Sequence, residues 1–143
     1  MVALIDTNVI VDFLTKREPY AEDAIKIISL CNRQKITGYL AAHTVPNLFY
    51  ILRRDFSVRQ RKEMLRALCK ILEVSGIGRD KILSALDNDR FEDFEDCLQM
   101  ECAVGIGAEY IITRNLPDFV NSEIPAIEPK DILKMFLAED EPE

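Results

Sequence analysis

The sequence FEDFEDCLQMECAVGIGAEYIITRNLPDF, residues 91–119, decides how the rest of this chain is interpreted. Asp93 and Asp96 lie three positions apart at the predicted start of a helix, so both carboxylates project from one side of it. The apolar helix leads into a β-strand that ends at the polar string TRN, residues 113–115. We expect the fold to gather other acidic side chains around this pair, where together they would hold a divalent metal ion.

The first strand is predicted from the apolar run at residues 2–5, which stops at Asp6-Thr7-Asn8. A short continuous apolar run is typical of a strand buried on both faces. Asp6 would therefore stand at the carboxyl end of the strand, the edge at which open parallel sheets bind ligands. Asn8 is predicted to cap a short helix at residues 9–14.

Short strands alternate with amphipathic helices along the chain, a pattern typical of α/β folds with a parallel sheet. We predict a three-layer α/β/α sandwich around a parallel sheet of about five strands. It would form one domain over residues 1–137, followed by an acidic, disordered tail at 138–143. The carboxyl ends of the first and fourth strands should share one edge. The predicted strands are 2–5, 36–42, 73–77, 109–113 and 124–127.

The helix after the second strand is predicted to begin with Thr44 as its N-cap, and Pro46 is tolerated in its first turn. Asn47 would then take the third helical position and point back toward the strand end. Two roles for Asn47 stay open from the residues alone: partner in a capping box, or member of a functional site.

The net charge of −7 is unevenly distributed and argues against binding nucleic acid through bulk charge. Residues 51–70 hold seven Lys or Arg against two acids, a local charge of +5. Residues 86–143 hold four against sixteen, a local charge of −12. Arg59, Lys62 and Arg66 share one helix face and are the best candidates for contacting phosphate, although the pattern provides no aromatic platform beside them.

Several classes of protein are disfavoured. The four cysteines show no metal-ligand spacing and are expected to be buried, reduced thiols. The single histidine, His43, excludes a multi-histidine zinc site and is expected at a helix start. The apolar runs are far shorter than a membrane span, and nothing before Asp6 resembles a signal peptide, so we expect no membrane association and a cytoplasmic location.

The acidic residues suit a hard cation such as Mg²⁺ or Mn²⁺, which takes oxygen ligands and keeps several waters. Asp6, Asp96 and Asp118 would supply the ligands, with Asp93 nearby. Carboxylates crowded together without a cation repel one another and raise their pKa values, so an acidic rim makes physical sense mainly around metal. Structural roles stay open as well, Asp93 as a helix N-cap and Asp118 as a turn residue.

Four segments carry a family resemblance: LIDTNVIVDFL (4–14), AAHTVPNLFYILRR (41–54), DFEDCLQMECAVGIGAEYIITRN (93–115) and PDF (117–119). Together they resemble PIN-domain proteins of the kind found as VapC-type toxins in toxin–antitoxin pairs. The resemblance implies a Mg²⁺- or Mn²⁺-dependent ribonuclease that cleaves single-stranded or looped RNA with metal-activated water, leaving 5′-phosphate and 3′-hydroxyl ends. It also implies an antitoxin partner and a homodimer.

The resemblance assigns roles by motif. Asp6 and Asp96 match family acids, and Thr113 matches the threonine at the strand end. The middle acid falls on Asn47 and the last on Asn115, for which Asp118 is the nearest substitute carboxylate. The remaining implied residues contact substrate or phosphate: Asn8, Arg114, Arg59, Lys62 and Arg66.

Two other functions are weighed against this one. With Asn47 and Asn115 in place of acids, the chain would also suit a catalytically weakened module that binds RNA or protein. A phosphotransfer enzyme with Asp6 as nucleophile is disfavoured, because that class carries DxD and Asn8 stands two residues after Asp6. Neither GxxxxGK[ST] nor GxGxxG occurs, which excludes P-loop and dinucleotide-binding sites.

Overall fold

A computed structural model describes residues 1–140, and within these residues the chain forms five short strands and seven α-helices. None of these helices is long and apolar enough to cross a membrane. The strands are β1 (Val2–Ile5), β2 (Thr37–Ala41), β3 (Glu73–Ser75), β4 (Tyr110–Ile112) and β5 (Ala126–Ile127). The helices are α1 (Thr7–Thr15), α2 (Ala21–Asn32), α3 (Thr44–Ile51), α4 (Val58–Ile71), α5 (Arg79–Leu86), α6 (Phe94–Gly105) and α7 (Pro129–Asp140), with 3₁₀ turns at Leu52–Arg54 and Leu116–Phe119.

The sheet is parallel throughout, with strand order β3-β2-β1-β4-β5. The chain builds outward from β1 in one direction through β2 and β3, and then returns to add β4 and β5 on the other side of β1. The order therefore reverses between β1 and β4, and a crevice opens at the carboxyl ends of strands at such a point. The predicted shared edge of the first and fourth strands is confirmed.

Apolar side chains on both faces of the sheet hold the helices in place. Ala3 and Ile5 belong to a core shared with α1, α2, α3, α4 and α7. Leu4, which points to the opposite face as strand geometry requires, belongs to a second core shared with α5 and α6. The expected α/β/α sandwich is thereby confirmed.

Helix starts differ from the predictions at two places. The N-cap of α1 is Asp6, whose Oδ1 accepts from the Thr7 backbone N–H at 2.8 Å, so Asn8 lies inside the helix and does not cap it. The first residue of α3 is Thr44, which places Asn47 fourth in the helix and outside a capping box. In both cases the side chain that the local pattern assigned to capping instead forms a hydrogen bond with a residue far along the chain, Asn8 with Thr113 and Asn47 with Glu95.

The strands β2, β3, β4 and β5 are each shorter than predicted. Helix α7 continues to Asp140, so residues 138–140 of the predicted tail are helical. Residues 141–143, the rest of that predicted tail, lie outside the part of the chain that the structure describes.

Gly38 on β2 gives a test of how closely the layers pack. A Cβ there would lie 2.6 Å from Cys31 Sγ and 2.7 Å from Leu72 Cδ2. We expect Gly38→Ala to lower the free energy of unfolding by about 1–3 kcal/mol in urea denaturation, the usual cost of overpacking a core. Gly76→Ala is the matched control, because a Cβ there meets nothing within 4 Å. Equal stability of the two variants would contradict this account of the packing.

Candidate active site

Asp6 is held at the carboxyl end of β1 by three hydrogen bonds and is only 7% exposed. Its Oδ1 accepts from the Thr7 backbone N–H at 2.8 Å. Its Oδ2 accepts from Thr113 Oγ1 at 2.8 Å and from Asn8 Nδ2 at 3.1 Å. The carboxylate therefore has a fixed orientation at the point where the strand order reverses.

Asn8 joins the segment after β1 to the segment after β4. Its Nδ2 also donates to Thr113 Oγ1 at 3.2 Å, and its Oδ1 accepts from the Arg114 backbone N–H at 3.2 Å. Thr113 Oγ1 in turn accepts from the Asn115 backbone N–H at 3.0 Å. The polar atoms of Asn8, which was predicted to contact substrate, are thus engaged within the protein.

A pocket of about 460 Å³ opens above Asp6 and is lined by three aspartates from different parts of the chain. Asp6 comes from the end of β1, Asp96 from the first turn of α6, and Asp118 from the 3₁₀ turn after β4. The tertiary fold therefore brings together the three carboxylates predicted as metal ligands. We call this cavity the acidic pocket.

The acids of the pocket disfavour one another's charge. Burial raises the pKa of Asp96 to about 7, and the surrounding carboxylates, led by Asp93, add to the increase. Burial also raises the pKa of Asp6 above its ordinary value, because the hydrogen bonds from Thr113 and Thr7 offset it only in part. Negative charge here lacks full compensation from the protein.

The acidic pocket provides carboxylate oxygens that suit a hard cation, but it does not provide a complete set of protein ligands. Among the residues that the structure describes, no group of three or more Asp, Glu, His or Cys side chains is placed to hold a metal ion as the side chains stand. Mg²⁺, however, is commonly held by one or two carboxylates and completes its shell with water. Asp6 and Asp96 fit that smaller requirement, with Asp118 beside them.

Asp93 and Asn115 occupy the margins of this arrangement. Asp93 is the N-cap of α6, and its Oδ1 accepts from the Asp96 backbone N–H at 2.9 Å. It lines a neighbouring cavity that also contains Asp96 and Asp118, but not the acidic pocket itself. Asn115 does line the acidic pocket, so both it and Asp118 are near the strand end.

Asn47 lines the acidic pocket and contacts an acid that sequence reasoning missed. Its Nδ2 donates to Glu95 Oε2 at 3.3 Å, and Glu95 also lines the pocket. A carboxylate from α6 thus lies beside the amide at the position where the family pattern places an acid. The one feature of the sequence that could have indicated Glu95 is its position immediately before Asp96.

Arg114 lines the acidic pocket but its charge is directed elsewhere. Its guanidinium forms two hydrogen bonds with the buried Asp12, Nε to Oδ2 at 2.6 Å and Nη2 to Oδ1 at 3.2 Å. It also stacks on Tyr20, 3.9 Å from the ring centroid. In this arrangement Arg114 neutralises Asp12. Arg17 also lines the pocket, but within residues 1–140 no salt bridge joins Asp6, Asp96 or Asp118 to a basic side chain.

The predicted basic face on α4 lies apart from the acidic pocket. Arg59, Lys62 and Arg66 are exposed, as predicted, but none of them lines the pocket. Arg59 pairs with Glu63 at 3.3 Å, one helical turn away. Sequence reasoning instead missed Tyr50, which lines the pocket, is 63% exposed and has Arg53 stacked 3.7 Å from its ring centroid.

The sequence itself places the chain in a family. A sequence profile of the PIN domain matches residues 2–117, so the chain belongs to the PIN domain family, a family of nucleases. This confirms the resemblance found in the four segments. No curated protein is significantly similar to the chain.

Solved structures of toxin–antitoxin proteins share the fold. VapBC2 from Rickettsia felis bound to a promoter DNA fragment aligns at a TM-score of 0.68 and 15% identity, covering 90% of this chain and 98% of that chain. VapBC-1 from nontypeable Haemophilus influenzae aligns at a TM-score of 0.65 and 18% identity, covering 91% of this chain and 99% of that chain. VapC20 from Mycobacterium tuberculosis, a sarcin-ricin loop cleaving toxin, aligns at a TM-score of 0.60 and 14% identity, covering 76% of this chain and 86% of that chain. At these identities the likeness establishes the fold.

The raised pKa of Asp96 predicts a pH-dependent effect of Asp96→Asn on stability. Because the pKa of Asp96 is raised on folding, the folded state binds its proton more tightly, and stability falls as pH rises from about 4 toward about 7 and beyond. Asp96→Asn removes that loss. In EDTA, the variant should gain unfolding temperature relative to the native chain at pH 8 and gain less, or nothing, at pH 5.

Asp80→Asn serves as the control, since Asp80 is likewise a first-turn acid but lies on α5, outside the acidic pocket. Its effect on the unfolding temperature should be the same at both pH values. If Asp96→Asn also had the same effect at both pH values, the raised pKa of Asp96 would be wrong.

Proposed function

We propose that this PIN-domain protein is a metal-dependent endoribonuclease that cleaves RNA phosphodiesters with metal-activated water. The observation that carries the proposal is the meeting of Asp6, Asp96 and Asp118 in one pocket at the switch point of the sheet. Burial, together with repulsion from the neighbouring carboxylates, raises the pKa of Asp96 to about 7, and a bound cation would offset both effects.

Asp6 and Asp96 would hold Mg²⁺ or Mn²⁺, with Asp118 as a further oxygen donor. When bound, the ion would lower the pKa of a water molecule and neutralise charge that develops on the phosphodiester. The hydrogen bonds from Thr113 and Asn8 would keep Asp6 in a fixed orientation during this chemistry. Such partners of metal ligands typically tune metal affinity.

Tyr50 supports RNA as the substrate. It is exposed at the acidic pocket, where its ring can stack on an unpaired base, and Arg53 beside it adds positive charge. Stacking of this kind is a common mode of single-stranded nucleic-acid recognition and tolerates many sequences. Within this proposal, the exposed face of Arg59, Lys62 and Arg66 would contact more distant phosphates.

A role as the toxin of a toxin–antitoxin pair is part of the proposal. Its support is the shared fold with VapBC complexes and with a VapC toxin. The partner would be an antitoxin that covers the acidic pocket, and we propose a cytoplasmic homodimer as the form in which the protein acts. A catalytically weakened binding module remains the second candidate, because amides stand at Asn47 and Asn115.

The proposal predicts loss of Mn²⁺-dependent RNA cleavage in Asp6→Asn and in Asp96→Asn. Each change removes a negatively charged oxygen donor from the pocket, so we expect activity to fall at least about a hundredfold, as when a metal-site group is lost. Cleavage of single-stranded and stem-loop RNA would be followed on gels over a Mn²⁺ titration.

Asp80→Asn, which removes an exposed acid outside the pocket, should cleave as the native chain does. RNA binding without cleavage at any Mn²⁺ concentration would favour the binding module. Cleavage that survives both pocket substitutions would rule out these acids as the catalytic centre.

Asn47→Asp offers a complementary gain-of-function test. The new carboxylate would face Glu95, so the variant should unfold at a lower temperature than the native chain in EDTA. Added Mn²⁺ should then raise its unfolding temperature by more than it raises that of the native chain, because the ion relieves the added repulsion. An equal Mn²⁺ effect on the two proteins would place Asn47 outside the metal site.

A further inference from the structure

Gln99 lies at the floor of the acidic pocket and is only 2% exposed. Its Nε2 donates to Thr44 Oγ1 at 2.9 Å and makes a longer contact with Thr7 Oγ1 at 3.4 Å. The two hydroxyls are themselves 3.1 Å apart. One buried amide therefore connects α6 to the first residues of α1 and α3.

These are the segments that carry the site. Asp96 precedes Gln99 by three residues on α6, so the two lie on the same side of the helix. Thr7 follows Asp6, and its backbone N–H donates to Asp6 Oδ1 at 2.8 Å. The contacts of Gln99 with Thr7 and Thr44 therefore constrain how far Asp96 lies from Asp6.

Stability alone does not account for a glutamine at this position. Its Oε1 is buried and has no hydrogen-bond partner among the residues that the structure describes, and a buried acceptor left unpaired is destabilising. A methionine would fill a similar volume without that cost, and Thr7 and Thr44 would still bond each other. The other unpartnered buried side-chain atom in the described part of the chain, His43 Nδ1, belongs to a residue that lines the same pocket.

We propose that Gln99 is a positioning residue for the metal site, which fixes where Asp96 lies relative to Asp6, the two carboxylates that would hold Mg²⁺ or Mn²⁺. It does not touch the ion or the substrate. The inference rests on the proposed function and extends it to a residue outside the set of acids. Groups that orient metal ligands in this way typically account for a 10- to 100-fold difference in metal affinity.

The test is Gln99→Met, with Mn²⁺ affinity measured by calorimetry on the full chain and the unfolding temperature measured in EDTA. We expect Mn²⁺ to bind about tenfold more weakly. The unfolding temperature should stay the same or rise, because the unsatisfied acceptor is gone. A residue that serves only folding would not separate the two measurements in this direction.

Thr44→Val provides a second variant that acts on the same network from its other side. It should also weaken Mn²⁺ binding, and combining it with Gln99→Met should add little further loss, because coupled partners are not additive. Ser84→Ala is the matched control: it removes the Ser84–Glu101 hydrogen bond of 2.7 Å, which joins α5 to α6. Mn²⁺ affinity should be unchanged there.

The outcomes separate this inference from the function on which it rests. Failure of the native chain to bind Mn²⁺ would overturn the proposed function, and the positioning role with it. Mn²⁺ binding by the native chain at the same affinity as by Gln99→Met and Thr44→Val would overturn the positioning role alone. The same holds if both variants lose stability in proportion to affinity, or fail to fold, because the network would then serve folding only.

Discussion

The pairing of β1 with β4 is the constraint on which the acidic pocket depends. Ile112 accepts a backbone hydrogen bond of 2.9 Å from Asp6, and the next residue, Thr113, donates its hydroxyl to the Asp6 carboxylate at 2.8 Å. A slip of one residue in this pairing would turn one of these two side chains to the opposite face of the sheet from the other. Apolar cores on both faces fix the register, so the packing of the sandwich and the orientation of Asp6 share one physical cause.

Negative charge is concentrated in the acidic pocket, where burial and neighbouring carboxylates both oppose ionisation of the acids. The Asp6 carboxylate accepts three hydrogen bonds, yet burial still raises its pKa above the ordinary value. The pKa of Asp96 is raised to about 7. Arg114 lines the acidic pocket, but its guanidinium is hydrogen-bonded to Asp12 and stacked on Tyr20. The protein thus retains a concentration of negative charge at the switch point of its sheet, which is physically reasonable where a divalent ion is to be bound.

Local signals in the sequence were sufficient for the order of elements and for part of the site. The apolar run at residues 2–5 and the string after the fourth strand placed Asp6 and Thr113 at strand ends, because burial on both faces leaves a recognisable apolar pattern. The structural role left open for Asp93, as a helix N-cap, is the one observed, since a cap bonds backbone groups only three residues away. The meeting of Asp6 with Asp96 followed from the fold class that this pattern implied.

The tertiary structure alone decided which polar groups pair and which stay free. The sequence pattern places Asp12, Arg114 and Gln99 in a helix or at a strand end. It does not show their hydrogen-bond partners, which lie far along the chain. Arg114 bonds Asp12 across 102 residues, and Gln99 bonds Thr44 across 55. Periodicity and capping report interactions within a few residues, whereas these pairings depend on how α1, α3 and α6 converge once the sheet is formed. The sequence therefore determined the strands, the helices and the acids, and the packing of the layers decided their chemistry.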